Sequence, residues 1–187
     1  FPSTEFRFMG IHSVMVVNNH GQPRLTKFYP NLEDVSLQQD LIKECFHLVS
    51  KRSPSVCNFL EPKGGEVYVK TWGEDVRLVY RHYATLFFIF AVDKSESELG
   101  ILDLIQVFVE ALDKCFENVC ELDLIFHCDK VHFILDEIIM SGMVLETSLK
   151  EIISAVNGTQ KYEEATKSLG APKKATVIGN LTKKRFV

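Results

Sequence analysis

Apolar and polar positions alternate most regularly in residues 98–126, ELGILDLIQVFVEALDKCFENVCELDLIF. Within residues 99–116 the polar side chains recur three or four positions apart and so form one narrow stripe on a helix: Asp103, Gln106, Glu110, Asp113 and Lys114. A helix packed on a single sheet needs an apolar face of only about 100°, and this segment has more. The pattern predicts a helix with two neighbours. Either both neighbours belong to its own domain, or part of the second face contacts another polypeptide.

Strand patterns dominate the first half of the chain. Segments 10–17 and 24–29 are β-branched or alternating, and the NNHG sequence between them predicts a hairpin. A one-faced helical pattern follows; we expect Asn31 to cap it, with Asp34 three residues on, and KRSP at 51–54 to end it. Further strands are predicted at 55–60, 66–72, 76–80 and 85–92, and the strand count within 62–79 stays open.

Segment 85–92, TLFFIFAV, is apolar on both alternations and therefore needs cover on both faces of the sheet. It is predicted to be a central strand. A helix over 129–140, ended by Gly142, and a short helix over 148–156 complete the pattern. Because one helix precedes the last strands and several follow them, both faces can be covered, which predicts a three-layer α/β sandwich.

Composition places the chain among ordinary globular proteins, with 46% hydrophobic and 25% charged residues. A net charge of −4 argues against nucleic acid as a partner. Five cysteines without a disulfide-scaffold spacing, and no signal-like N-terminus, indicate a reducing cytosolic compartment. Residues 158–187 hold seven Lys or Arg against two Glu. We expect an N-terminal extension at 1–9, one domain at 10–157 and a flexible basic tail at 158–187.

No phosphate-binding loop, nucleophile elbow or zinc-protease helix is present in the sequence. Soft ligands for zinc gather in one region: Cys115, Cys120, His127, Cys128 and His132. Spacing argues against a metal site, because Cys115 falls within the apolar face of its helix and the two histidines are five residues apart.

Charged residues offer equally weak evidence for catalysis. Glu117, Glu121 and Asp123 could form a carboxylate pair for acid–base chemistry, but a solvated face is the simpler interpretation. Arg24 follows the first predicted turn and could bind an anion or form an ordinary strand-end pair, but a plain solvated arginine is the default expectation. The residues alone therefore predict an interaction module with no catalytic residues and no cofactor.

Five motifs carry a family resemblance: NNHGQPRLTKFY at 18–29, CFHLVSKR at 45–52, NFLE at 58–61, YRHYATLFFIFAVD at 80–93 and SESELGILDLIQVFVEALDKCFENVCELDLIFH at 95–127. The chain resembles the small, sigma, subunits of the clathrin-associated adaptor complexes, and within them those of adaptor complex three. The resemblance implies an α/β (α+β) longin-like three-layer sandwich with a central, mainly antiparallel five-stranded sheet. It also implies a non-enzymatic subunit bound tightly to a large subunit, in a heterotetramer with a second large and a medium subunit.

The resemblance further implies a site for acidic dileucine sorting signals in the cytosolic tails of cargo. Arg24 would face the acidic residue of the signal. The pocket for the two leucines would be formed by Ala84, Leu86, Val109, Asn118, Val119 and Leu124. The expected setting is cytoplasmic, with the complex peripheral on Golgi, endosomal and vesicle membranes, serving transport to lysosomes or vacuoles. A purely structural subunit, or a sigma subunit of another adaptor complex, is the alternative.

Overall fold

The computed structural model describes residues 10–29, 32–53, 55–61 and 67–170, with side chains described as far as residue 162. Residues 1–9, Asn31 and 171–187, on which several expectations rest, lie outside these ranges. In chain order the strands are β1 Ile11–Asn18, β2 Pro23–Phe28, β3 Phe59–Leu60, β4 Arg77–Tyr83, β5 Leu86–Val92, β6 Ile139–Met140 and β7 Met143–Val144. The helices are α1 Val35–Ser50, α2 Val67–Trp72, α3 Glu98–Phe116, α4 Glu121–Phe126, α5 Cys128–Ile138 and α6 Leu149–Gly170.

The main sheet has five strands in the order β2-β1-β5-β4-β3, and every neighbouring pair is antiparallel. Its central strand is β5, as the doubly apolar pattern predicts. Alternate residues of β5 enter two separate cores: Phe88 and Phe90 pack on one face, Ile89 and Ala91 on the other. The first core also contains side chains of α3, α5 and α6, and the second those of α1 and α2. The predicted five-stranded three-layer sandwich is thereby confirmed.

Helix α3 has both of its neighbours within its own domain. It packs against β4 of the sheet on one side and against α5 and α6 on the other. Six of its side chains are buried: Ile101, Leu104, Ile105, Phe108, Ala111 and Leu112. Among its large apolar side chains only Leu99 is exposed, at 68%. Most of the apolar surface of α3 is therefore buried within its own domain, while contact of its half-buried side chains with another polypeptide stays a prediction.

One predicted strand is a helix instead. Residues 67–72, expected to be extended, form α2, because the carboxylate of Glu44 on α1 accepts hydrogen bonds from the backbone N–H groups of Val67 and Tyr68 at 2.9 and 3.0 Å. These are donors that the first turn of a helix leaves without a partner. Gly73, at φ +97°, ends the helix by donating its N–H to Val69.

Three other boundaries differ from the prediction. Asp34 is the N-cap of α1 itself, since its carboxylate accepts from the N–H groups of Ser36 and Leu37. Helix α5 ends at Ile138, and Gly142 lies in the turn of the β6–β7 hairpin. Helix α6 continues to Gly170, so the predicted short helix is wrong and the first part of the expected tail is helical.

Candidate functional site

Arg24 lies on β2 and is held by an ion pair with the carboxylate of Glu121, the first residue of α4. Its Nε donates to Glu121 Oε1 at 2.7 Å, and the two side chains are 19% and 28% exposed. The residues are 97 positions apart in the chain. The expectation of a solvated arginine is wrong, because the guanidinium is engaged and largely covered.

A buried asparagine completes the network around Arg24. Asn18, at the end of β1, is 5% exposed and donates both amide hydrogens, to Gln22 Oε1 and Glu121 Oε1, each at 3.0 Å. Arg24 Nη2 also donates to Gln22 Oε1, at 2.9 Å. The Oδ1 atom of Asn18 accepts from the backbone N–H groups of the following turn, so a buried amide is fully bonded. Four side chains therefore form a closed ring that fixes the guanidinium.

The hydrogen bond from Arg24 holds the pKa of Glu121 below its ordinary value of 4.5, with further lowering by the Asn18 amide. Thr85, in the β4–β5 turn, adds a longer hydrogen bond to the second carboxylate oxygen, at 3.4 Å. Three separate elements thus converge on this one carboxylate.

We expect Arg24→Gln to move the pKa of Glu121 back toward its ordinary value. A depressed folded-state pKa contributes stability that is present above about pH 4.5 and is lost as pH falls through the lowered pKa. The measurement is an NMR titration of the Glu121 carboxyl carbon. Asp123 is the internal control: its pKa is lowered chiefly by the backbone N–H of Cys120 and should not respond to Arg24. An unchanged Glu121 titration in the variant would contradict the ion pair.

Two of the apolar residues expected to receive leucines lie near Glu121 in the chain or through its contacts. Leu86 begins β5, and Val119 lies between α3 and α4, two residues before Glu121. Together with Val109 of α3 they are partly buried against the core that contains Leu124, which is itself only 1% exposed. Ala84, beside Thr85, and Asn118 are exposed at the border. The structure thus places Leu86 and Val119 near Glu121 and leaves the role of all the predicted residues a prediction.

Four cavities of about 340 to 600 Å³ open elsewhere on the described residues, around Leu48, Phe133, Leu102 and Val56 respectively, and none of these four is lined by any of the seven predicted residues. These four cavities therefore give no support to the predicted leucine pocket, whose role stays a prediction.

The connection between α3 and α4, next to Glu121, has a strained backbone. Two successive non-glycine residues, Glu117 and Asn118, have positive φ angles of 54° and 78°, a conformation that costs L-residues about 1 to 2 kcal/mol. The segment is tied down by Asp113, whose carboxylate accepts from the N–H of Val119 at 3.2 Å.

Two carboxylates expected to be solvated have specific structural partners. Glu121 pairs with Arg24, and Asp123 caps α4 by accepting from the N–H of Cys120 at 2.9 Å. No local pattern marks Glu121, because its partner lies on a distant strand; only the family motifs, which place Arg24 and the α4 segment at one site, could have suggested it. In the described ranges, no group of three or more His, Cys, Asp or Glu residues could hold a metal ion. The helices of the same ranges include none whose length and apolarity would let it cross a bilayer.

An antiparallel five-stranded sheet with helices on both faces defines the chain as a longin-like α+β domain. The family model described as the clathrin adaptor complex small chain matches residues 10–163. The chain therefore belongs to the clathrin adaptor complex small chain family. This family consists of subunits of adaptor coats rather than enzymes.

Proteins that are similar to this chain include sigma subunits of AP-3. The AP-3 complex subunit sigma-2 of Homo sapiens is 57% identical over 161 residues, which cover 86% of this chain and 80% of the relative. The AP-3 complex subunit sigma of Dictyostelium discoideum is 57% identical over 159 residues, covering 85% and 91%. A chain of a structure described as a homology model of the full-length AP-3 complex in a stretched open conformation is 39% identical, with a TM-score of 0.63, over 85% of this chain and 98% of that one.

Proposed function

We propose that this chain is the small subunit of a type-three heterotetrameric adaptor coat, where it stabilises the core and binds acidic dileucine signals. The cargo role is supported by the ion pair of Arg24 with Glu121, which lies next in the chain to the half-buried Val119 region and is contacted by Thr85, the residue before Leu86. A guanidinium can hold a carboxylate through charge-assisted hydrogen bonds. Each buried leucine contributes roughly 1.5 to 3 kcal/mol before the costs of binding.

The setting follows from the same proposal. Within the complex, the chain would work at Golgi and endosomal membranes and on cytoplasmic vesicles, selecting cargo bound for lysosomes or vacuoles. Affinity purification of the tagged chain tests the assembly. Recovery of two large subunits and one medium subunit of the AP-3 type supports it, whereas subunits of another adaptor complex would assign the chain there instead.

Peptide binding tests the cargo role. We expect the chain, assembled with its partner subunits, to bind a peptide with a glutamate upstream of two adjacent leucines. Arg24→Gln should weaken that binding about tenfold or more, because a hydrogen bond between charged groups is lost. Lys43→Gln, which removes an equal charge from an exposed site on α1, is the matched control and should have no effect.

The apolar half of the site is tested separately. Leu86→Trp and Val119→Trp should each abolish binding of the same peptide by filling the space that its leucines need, as measured by isothermal titration calorimetry. If both variants bind like the unaltered chain, the pocket assignment fails.

A second candidate function has its own support. The burial of Leu124 and the ion pair of Arg24 with Glu121 favour a purely structural subunit, which stabilises its large partner and does not bind cargo. That function predicts that Arg24→Gln leaves cargo sorting unaltered in cells while the complex stays assembled.

A further inference from the structure

The ion pair between Arg24 and Glu121 also bears on selectivity, and the inference below rests on the proposed binding of acidic dileucine signals. The guanidinium that would attract the acidic residue of a signal already has a carboxylate at 2.7 Å. The pair is neutral as a whole. The electrostatic attraction of the pair for an approaching anion is therefore much weaker than that of an isolated arginine.

Glu121 is built into this position. Its carboxylate accepts from Asn18 Nδ2 at 3.0 Å and from Thr85 Oγ1 at 3.4 Å as well as from Arg24. These donors belong to the end of β1, the β4–β5 turn and β2, while Glu121 itself begins α4. Exposed ion pairs are often adventitious, but a carboxylate that receives hydrogen bonds from three elements is positioned by the fold.

The outer edge of the guanidinium is where a second carboxylate could approach. Nη2 donates to Gln22 Oε1, and across the described part of the chain no hydrogen bond donated by Nη1 is found. A ligand carboxylate at this edge would lie a few ångströms from the carboxylate of Glu121. Like charges at that separation repel, so the acidic residue of a signal would gain less from Arg24 than the arginine alone offers.

We propose that Glu121 is a specificity-determining residue, which competes with the acidic residue of the signal for Arg24. Because of this competition, an acidic residue alone does not retain a peptide. A peptide is retained when its two leucines are bound in addition. The site thereby rejects the many acidic segments that lack a dileucine pair.

The test compares the unaltered subunit with Glu121→Gln, each assembled with its partner subunits, by calorimetry on three peptides. The first has a glutamate and two leucines, the second has glutamine in place of the glutamate, and the third has serines in place of the leucines. We expect Glu121→Gln to bind the first peptide about threefold to fivefold more tightly, as for a partly exposed charge pair. It should bind the second peptide unchanged and gain measurable affinity for the third.

Two controls separate charge from structure. Glu74→Gln removes an equal charge from the exposed turn before β4, at the opposite end of the sheet from the β4–β5 turn, and should change none of the three affinities. Glu121→Asp keeps the carboxylate and should retain the selectivity of the unaltered subunit. If Glu121→Gln binds the acidic peptide equally or more weakly, Glu121 is not a competitor and the inference is wrong.

A measurement without cargo keeps the inference separate from the proposed function. Acetate is titrated into the full chain while the Arg24 Nε–H signal is followed by NMR. Acetate should perturb that signal at severalfold lower concentration in Glu121→Gln than in the unaltered chain. If acetate acts in this way but no peptide binds, the proposed dileucine function is wrong, while the competition of Glu121 for Arg24 is supported. If acetate acts equally on both chains, Glu121 does not compete for Arg24, whatever the peptides do. Should Glu121→Gln not fold, the pKa of Glu121 in the unaltered chain gives the same answer with trifluoroacetate as the anion, which stays ionised where Glu121 titrates: that pKa must rise when the anion takes Arg24.

Discussion

Replacing Phe108 by alanine should lower the free energy of unfolding by about 3 to 5 kcal/mol, the usual range for deleting a large buried aromatic side chain. Phe108 is completely buried at the middle of α3. Its ring meets that of Phe88 edge to face, with centroids 6.0 Å apart and planes at 81°, an arrangement that adds to the energy of burial. Because α3 lies between the sheet and helices α5 and α6, the cavity would open at the junction of two layers. Urea-induced unfolding of the full chain measures the loss.

Leu99→Ala is the matched control on the same helix. Leu99 is 68% exposed, so its truncation should change the free energy of unfolding by no more than about 0.5 kcal/mol. A large loss at Leu99 would mean that the surplus apolar face of α3 is covered by something other than its own domain. A small loss at Phe108 would contradict the two-sided packing described for this helix.

Prediction from the sequence works best where the burial of an element determines the pattern of apolar and polar residues within that same element. The doubly apolar run at 85–92 identifies the central strand, since only a strand covered on both faces tolerates apolar residues at every position. The surplus apolar face of α3 is likewise evident from the sequence. Its two possible neighbours are not distinguishable by periodicity, because a residue buried by α5 and one buried by another subunit have the same hydropathy.

Prediction fails where the deciding contact comes from a distant part of the chain. Residues 67–72 are apolar enough for a strand. They form a helix because the carboxylate of Glu44, more than twenty positions earlier, caps the N-terminus of that helix. The site shows the same limit. Arg24 can be named from a motif, but the state of its guanidinium depends on Glu121, which no local spacing connects to it.

Exposed apolar side chains also have no sequence signature that separates them from core residues. On α4, Leu122, Ile125 and Phe126 are 58%, 42% and 74% exposed, while Leu124 between them is buried. Their spacing is helical, so the outward residues form a stripe of their own. Periodicity detects such a stripe but cannot say which of the two faces of a short helix points inward.

Gly142→Ala should destabilise the chain by about 2 to 5 kcal/mol, the sum of a left-handed backbone cost of about 1 to 2 kcal/mol and an overpacking cost of about 1 to 3 kcal/mol. Gly142 has φ +80°, and an added Cβ would lie 2.5 Å from the carbonyl oxygen of Ile11 and 3.3 Å from the Cβ of Tyr29. Its own carbonyl accepts from the N–H of Ile11 at 2.8 Å, which joins the β6–β7 turn to the start of β1. Neither backbone can retreat without breaking that hydrogen bond.

Gly73→Ala separates the two contributions to this loss. Gly73 also has a positive φ, +97°, but an added Cβ there would meet nothing within 4 Å. Its substitution should therefore show only the backbone cost, about 1 to 2 kcal/mol. Both variants are compared by urea-induced unfolding. Equal losses of unfolding free energy at the two glycines would show that the β6–β7 turn can shift to accommodate the added Cβ. Its contact with β1 would then not fix the hairpin to the sheet.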